Sequence, residues 1–251
     1  YRISVNDYQD GRLVQQSASN YINVGRVWVN EFSEVQKQAS IRRYGTATVA
    51  DKQRKFKEKD VYAVDSTFFD VFDFHFIKGD PKTALKRPLS IVLTQTMARK
   101  YFGGGNPIGK TLLFNGRRNY KVTGVIKNPP ANSQLSFSCL ITNFRLRQMY
   151  KKRKFEWSWS NFHVYVVTKP NTSAAQLEAK FPPLYKKYLD PTDVGLVKFR
   201  AQKLTDIHLM PGFESSLTPS QNPNSIYLLL LIALQHVRHL LFYKTVNSSN
   251  S

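Results

Sequence analysis

The sequence predicts an α+β fold: a split sandwich with a middle segment inserted as a second subdomain. Three observations predict it. The first quarter reads β-β-α-β-β by its apolar periodicities, and a strand–helix–strand unit returns between Phe162 and Ala201. Between them lies a run of helix, strand, helix and hairpin, closed by Asn128-Pro129-Pro130. The two outer units resemble each other in element order, although no internal sequence repeat links them.

Alternation of apolar and polar residues places strands near Tyr1 to Val5, Arg12 to Ser17, Ala39 to Val49 and Lys57 to Val64. In "GRVWVNEFSEV", Val27, Val29, Phe32 and Val35 approximate helical spacing. Ser66 is the expected N-cap of a short helix whose apolar face is Phe68, Phe69 and Phe72, with Asp70 in its early turns complementing the helix dipole. Gly79-Asp80-Pro81 breaks it. A strand follows over Ile91 to Leu93. Thr94 then caps a helix over Gln95 to Phe102, with Met97 and Tyr101 one turn apart and Gly103 as its stop. Asn115-Gly116 joins two strands as a tight hairpin. Farther on, strands are expected over Leu135 to Ile141 and Phe162 to Thr168. Ser173 and Gln176 have capping-box spacing for a helix whose apolar residues are Leu177, Phe181, Leu184, Tyr185 and Tyr188, kinked at Pro182-Pro183. Val197, Phe199 and Ala201 share one side of the last strand.

With 251 residues, 41% of them hydrophobic and 13% aromatic, the chain has enough apolar surface for a core and is not a disordered polymer. Its formal charge of +20 suits nucleic acid, anionic lipid or an acidic protein, and does not choose among them. Basic residues crowd Arg42 to Lys59 and Arg145 to Lys154, where a solvated face is the first reading and a partner-binding patch the second. The single cysteine, Cys139, excludes an intrachain disulfide and falls in an alternating run that predicts a buried strand position. No signal peptide opens the chain. Tyr1 to Val5 reads as a strand already under way, as if the start were missing or the piece came from something longer. Ile226 to Leu234 is nine apolar residues, about half of the roughly 20 a membrane helix needs, before "QHVRH" interrupts it.

Gly104 to Thr111, "GGNPIGKT", matches the phosphate-binding pattern G-x-x-x-x-G-K-[ST]. Its setting is wrong: the order is helix, loop, strand, the reverse of a P-loop, and Pro107 removes a cradle donor. No acidic strand end follows it to hold magnesium, since the one at Asp65 comes before. A structural turn is the expectation. The five histidines, His75, His163, His208, His236 and His239, are scattered apart from an H-x-x-H in the tail, and no H-E-x-x-H occurs, so no zinc site is expected. No G-x-S-x-G elbow occurs, and Asp70 and Asp73 read as helix-surface charge. The aromatics beside the second basic run, Phe155, Trp157, Trp159 and Phe162, would suit base stacking if exposed. With Trp157 and Trp159 two apart, entry into a strand is the expected reading.

The stretch "VDSTFFDVFDFHFIKGDPKTALKRPLSIVLTQTMARKYFGGGNPIGKTLLFNG", Val64 to Gly116, followed by "YKVTGVIKNPPANSQLSF", Tyr120 to Phe137, resembles the extracytoplasmic, periplasmic core domain of MacB/FtsX-like ABC-transporter permeases. The ordered signs are Phe69 and Phe72, Gly79-Asp80-Pro81 with Leu85, and Ile91 to Leu93. Ala98 with Tyr101-Phe102-Gly103, Pro107 to Lys110, and Val122 to Ile126 complete them. The likeness spans about Tyr1 to Leu234, more loosely outside the middle.

The resemblance implies a domain between the first two of four permease helices, facing the periplasm from the inner membrane. Its lobes would be a porter-like βαβ sandwich over residues 1–65 and 131–225 and an inserted sabre-like α/β subdomain over 66–130. Residues 226–251 would be a truncated or aberrant start of the second membrane helix plus a tail. The implied partners are an ABC ATPase subunit or domain, a second permease copy in a dimer, and periplasmic or outer-membrane proteins. The domain would be non-catalytic, with no catalytic, cofactor or metal residues and no cofactor. It would contribute to substrate handling and mechanical coupling in ATP-driven export or lipoprotein release. The competing reading is a soluble basic protein that binds nucleic acid or an anionic membrane surface; for a transporter domain, anionic lipid remains a candidate contact and nucleic acid is not expected.

Overall fold

A computed structural model describes residues 1–21, 23–51, 53–130, 133–143, 161–209 and 213–217. Its eleven strands form one mixed sheet: β1 (Arg2–Gln9), β2 (Arg12–Ser17), β3 (Val35–Ala50), β4 (Lys55–Val64), β5 (Phe76–Gly79), β6 (Ser90–Thr94), β7 (Thr111–Phe114), β8 (Arg118–Ile126), β9 (Cys139–Thr142), β10 (His163–Thr168) and β11 (Val197–Gln202). Among the described residues the helices are α1 (Val24–Glu31), α2 (Phe68–Val71), α3 (Gln95–Phe102), α4 (Ala174–Glu178) and α5 (Phe181–Tyr188), with a 3₁₀ turn over Leu204–Leu209. The fold is α+β, as the alternating periodicities require.

The main strand order is β11-β1-β10-β3-β4-β9-β6-β8-β5, with β2 on β1 and β7 bridging β3 and β8. That last bridge closes a ring. β3 pairs β4, β4 pairs β9, β9 pairs β6, β6 pairs β8, β8 pairs β7, and β7 returns to β3 through Val49 to Phe114 and Ala50 to Leu113. A sheet closed on itself has no free edge around its circumference and encloses its inward side chains. Here they include Val49, Val61, Ile91, Leu93, Leu112, Val122, Cys139 and Ile141. Strands from both sides of positions 65/66 and 130/131 share this ladder. Register shifts between Arg43 and Gly45 and between Gly45 and Ala47 let the long β3 leave the flat part of the sheet and bend into the ring.

Two further cores lie on opposite faces of the flat part. On β10, Val164 and Val166 face one side and Tyr165 the other, as strand alternation dictates. The first side is covered by α1, α4 and α5, where Trp28 lies 4.3 Å from Phe181, centroid to centroid, and both rings approach Phe199. The second is filled by a phenylalanine cluster around Phe68, with Phe69, Phe72, Phe74 and Phe137 within ring-contact range.

Several expectations hold to the residue. Thr94 caps α3 by accepting from Met97 N–H, Met97 and Tyr101 are buried, and Gly103 ends the helix at positive φ. Asn115 and Gly116 both have positive φ, the geometry of a tight hairpin turn. Ser173 and Gln176 form the reciprocal capping box, and Cys139 is a buried strand residue.

Others are corrected. Val35 begins β3 rather than ending α1, because Phe32 leaves the helix in extended conformation. Thr67, not Ser66, is the N-cap of α2. The cap side chain makes no capping bond, and Asp65 instead accepts from the Thr67 N–H and hydroxyl. That helix is a single turn, so Phe72 lies beyond it, and the unanticipated β5 precedes Gly79. Of Leu135 to Ile141 only Cys139 onward is strand; Leu135 and Phe137 are buried without pairing. The kinked helix after Ser173 is two helices. Pro182 and Pro183 sit in the first turn of the second, where a missing N–H costs nothing. The basic run Arg145 to Lys154, the aromatics Phe155, Trp157 and Trp159, and the apolar run Ile226 to Leu234 lie outside the described residues.

Candidate functional site

Thr111 ends the would-be phosphate loop and starts β7, so the loop joins a helix to a strand. Four of its backbone donors are already used: Gly105 N–H bonds Phe102 O, Ile108 N–H bonds Asn106 Oδ1, Gly109 N–H bonds Val122 O and Lys110 N–H bonds Pro107 O. Lys110 Nζ lies 5.1 Å from the centre of the Phe102 ring. The loop therefore knits α3 to β8 and offers no cradle.

The remaining reactive side chains are inert by position. Burial pushes the Cys139 thiol up to about 12, far from the thiolate a nucleophile needs. His163 is buried, and burial, aided by the positive charges of Arg2 and Arg43, pushes it down to about 4, so it is neutral at physiological pH. His75 is exposed beside a groove that also holds Phe74 and Leu204. His236 and His239, and the side chain of His208, lie outside the described residues. Asp70 pairs with Lys86 at 3.8 Å, and Asp73 is exposed past the end of α2. Among the described residues, no group of three or more histidine, cysteine or carboxylate side chains could hold a metal ion.

The first basic run separates into four roles. Arg43 pairs with Asp60 at 2.9 Å on an exposed strand face, a contact worth little in water. Arg54 reaches the end of α3, donating to Lys100 O at 3.0 Å and to Tyr101 O, where a cation complements the helix dipole. Lys55, Lys57 and Lys59 form an exposed stripe along β4. Arg42 does something different: it faces into the ring.

One end of the ring is closed by α3, which follows β6 directly. There Tyr101 and Lys100 both bond Glu58 Oε1 at 2.7 Å. At the other end the described residues line a bowl of about 500 Å³. Its floor is Ala63, Phe114, Tyr120 and Ile141, and its rim carries Arg42, Tyr44, Arg117 and Arg118. Strand alternation builds this rim. Arg42 is paired with inward-facing Ala63, and Arg118 lies two residues before inward-facing Tyr120. Burial holds the Tyr120 hydroxyl above its ordinary pKa, and the positive charge of Arg118 works against that shift. Asn115 fixes Tyr44, donating to its hydroxyl at 2.9 Å, and the Tyr44 ring meets Phe114 edge-on at 5.7 Å. Sequence reasoning missed this bowl, because Arg117 and Arg118 stand in a hairpin turn and read as solvated. The signal that would have found Arg118 is its inward register ahead of Tyr120 and Val122.

A family model described as the MacB-like periplasmic core domain matches residues 4–184. No curated protein sequence matches the chain. Among solved structures, a domain of a putative permease protein from Porphyromonas gingivalis aligns with TM-score 0.67 at 18% identity, over 82% of this chain and 93% of that one. The periplasmic region of MacB from Actinobacillus actinomycetemcomitans aligns with TM-score 0.51 at 14% identity, over 79% and 87%. The extracellular domain of the noncanonic ABC-type transporter YknZ from Gram-positive bacteria aligns with TM-score 0.52 at 17% identity, over 80% and 100%. At these identities the structural likeness speaks for the fold alone.

Proposed function

The chain belongs to the MacB-like periplasmic core domain family, and on that premise we propose that it is a force-transmitting, non-catalytic module of an ABC-transporter permease. Its work is substrate handling and mechanical coupling during ATP-driven export or lipoprotein release. The family match over residues 4–184 carries this reading. Support comes from the continuous hydrogen-bonded sheet, which ties the Tyr1 end to the closed ring through backbone bonds. Arg2 pairs in register with Gln202, so β1 starts beside the end of β11, as suits a domain held between two membrane helices. No helix among the described residues is long and apolar enough to cross a membrane.

The partners in this reading are an ABC ATPase subunit or domain, reached through the membrane part of the permease, and a second permease copy. Periplasmic or outer-membrane proteins are further candidates, and the domain faces the periplasm from the inner membrane. The test uses the full permease with its ATPase. A spin label at Lys59→Cys, on the exposed stripe, reports the distance between the two copies by pulsed electron resonance, with buried Cys139 protected from labelling. Nucleotide should shift that distance. Identical distributions with and without ATP would sink the coupling role.

The +20 charge and the Lys55, Lys57 and Lys59 stripe favour one second reading, a binder of nucleic acid or an anionic surface. It requires affinity for DNA that falls steeply with salt and disappears when the three lysines are neutralised. No binding at low salt would end it.

A further inference from the structure

We propose that Glu178 on α4 and Tyr185 on α5 form a latch over the outer edge of β11, and that the strand this latch excludes is β11 of a second copy of the chain. The latch does not depend on the transporter reading above, and its failure would leave that reading untouched.

The edge carries the argument. β11 ends the main strand order and runs in unbroken register along β1, from Gln202 opposite Arg2 to Val197 opposite Asp7. A strand at the end of a sheet turns alternate N–H and C=O groups to its outer side, where they template another strand. At the opposite end of the order, β5 has four residues, a register shift between Phe76 and Lys78, and an exposed lysine at Lys78. Each of these discourages pairing. β11 is neither short nor bulged. Its outward donors are instead taken by side chains: Phe199 N–H donates to the Tyr185 hydroxyl at 2.9 Å, and Ala201 N–H to Glu178 Oε1 at 2.9 Å. Val197, the next position of that row, bridges Val194.

Both side chains are held in place to do this. The reciprocal box of Ser173 and Gln176 fixes the start of α4, and Glu178 is its last residue. Glu178 Oε2 also takes Arg200 Nη1 at 2.9 Å, so one carboxylate holds the side chain of Arg200 and the backbone of the next residue. Tyr185 packs its ring 5.5 Å from Phe199, the residue whose N–H it accepts. An added strand would have to displace both. Once they are removed, a second β11 fits the edge, because antiparallel pairing about a two-fold axis matches a strand to itself. The charges select the register. Centred on Phe199, the pair would set Lys198 against Arg200 of the second copy, and like charges directly opposite repel. Centred on Ala201, it sets Arg200 against Gln202 of the second copy and keeps the cations apart.

The test compares the 251-residue chain with a Glu178→Ala/Tyr185→Phe double variant by sedimentation equilibrium over a concentration series. The double variant should self-associate at least about tenfold more strongly than the wild type. Adding Ala201→Pro removes one outward N–H, on an edge strand where proline is tolerated, and should cancel the gain. Single changes separate the latch from the mere loss of a contact. Glu178→Gln keeps an acceptor for the Ala201 N–H and should associate as the wild type does, whereas Glu178→Ala should gain. Tyr185→Phe keeps the ring against Phe199, so its fold is least at risk, and it should show part of the gain. If the double variant does not fold, that single variant gives the answer. No gain in a folded latch variant, a gain that survives Ala201→Pro, or the same gain from Glu178→Gln as from Glu178→Ala would each overturn the latch.

Discussion

Tyr101 donates its hydroxyl to Glu58 Oε1 at 2.7 Å, inside the end of the ring that α3 closes. Glu58 is 7% exposed, and its other partner is Lys100, also at 2.7 Å. The Tyr101 hydroxyl lies 3.2 Å from Val49 O as well, so one side chain joins α3, β4 and β3. Burial and the Glu58 carboxylate hold the tyrosine far above its ordinary pKa, so it stays a donor. Tyr101→Phe should therefore cost about 1–3 kcal/mol, because it strips a donor from a buried carboxylate. Lys100→Met should cost less, since Lys100 is half-exposed and its charge is partly screened. Urea unfolding of both variants checks this, and equal losses would contradict it.

Two groups titrate in opposite senses. His163 is held down near 4, below its ordinary 6.5, so unfolding lets it take a proton as pH falls from about 6.5 to 4. Stability is lost across that window, by up to about 3 kcal/mol. Asp65 is pushed up to about 6 by burial, against bonds from Ser40, Thr67 and Gln38 that favour its charged form. It protonates in the folded state before the unfolded one, so stability is gained as pH falls from about 6 to 3.8. The wild type should show a flatter profile than either variant. His163→Gln should gain relative to wild type on acidification, and Asp65→Asn should lose. Denaturation midpoints at about pH 7 and about pH 4.5 decide the matter, and parallel profiles in all three proteins would refute it.

Gly79 has φ +88, and an added Cβ would meet Thr123 O at 2.4 Å and Gly124 Cα at 2.9 Å. Both atoms are backbone of β8, so nothing flexible can give way. Gly79→Ala should cost more than about 2 kcal/mol. Gly11, at φ +74 with nothing within 4 Å, is the control: Gly11→Ala carries only the backbone strain, about 1 kcal/mol. Thermal unfolding of the pair tests the clash, and similar losses would show that Thr123 and Gly124 can move.

What could be read from the sequence was local. The bounds of α3 follow from the Thr94 cap and the Gly103 stop, and the β7–β8 hairpin from Asn115-Gly116, because each signal lies within a few residues of its effect. The strand β5 was hidden inside a phenylalanine run, since Phe72, Phe74 and Phe76 pack into the same cluster as the helix-borne Phe68 and Phe69. Leu135 and Phe137 alternate as strand residues do, yet they bury as an unpaired segment; alternation reports burial, not pairing. Ring closure depends on Val49 meeting Phe114, and no local pattern encodes a contact so distant in the chain. The bowl was illegible for that reason: its arginines look solvated until the ring that aims them inward is known.

The loop from Gly104 to Thr111 makes the final prediction, a negative one with a structural reason. A phosphate cradle needs several free N–H groups aimed at one point at the start of a helix. Here four loop amides bond protein oxygens, and the helix ends where the loop begins. Nucleotide binding would have to break the bonds from Gly109 N–H to Val122 O and from Val122 N–H to Lys110 O, which hold the loop to β8. Lys110 spends its charge over Phe102, an exposed contact worth about 0.5–1 kcal/mol. Lys110→Ala should therefore lower stability by no more than that and change no affinity for ATP, because there is none to change. Calorimetric titration with Mg-ATP checks both proteins. Saturable binding in the wild type that vanishes in Lys110→Ala would mean that the loop opens, and that its helix–loop–strand order does not preclude a phosphate site.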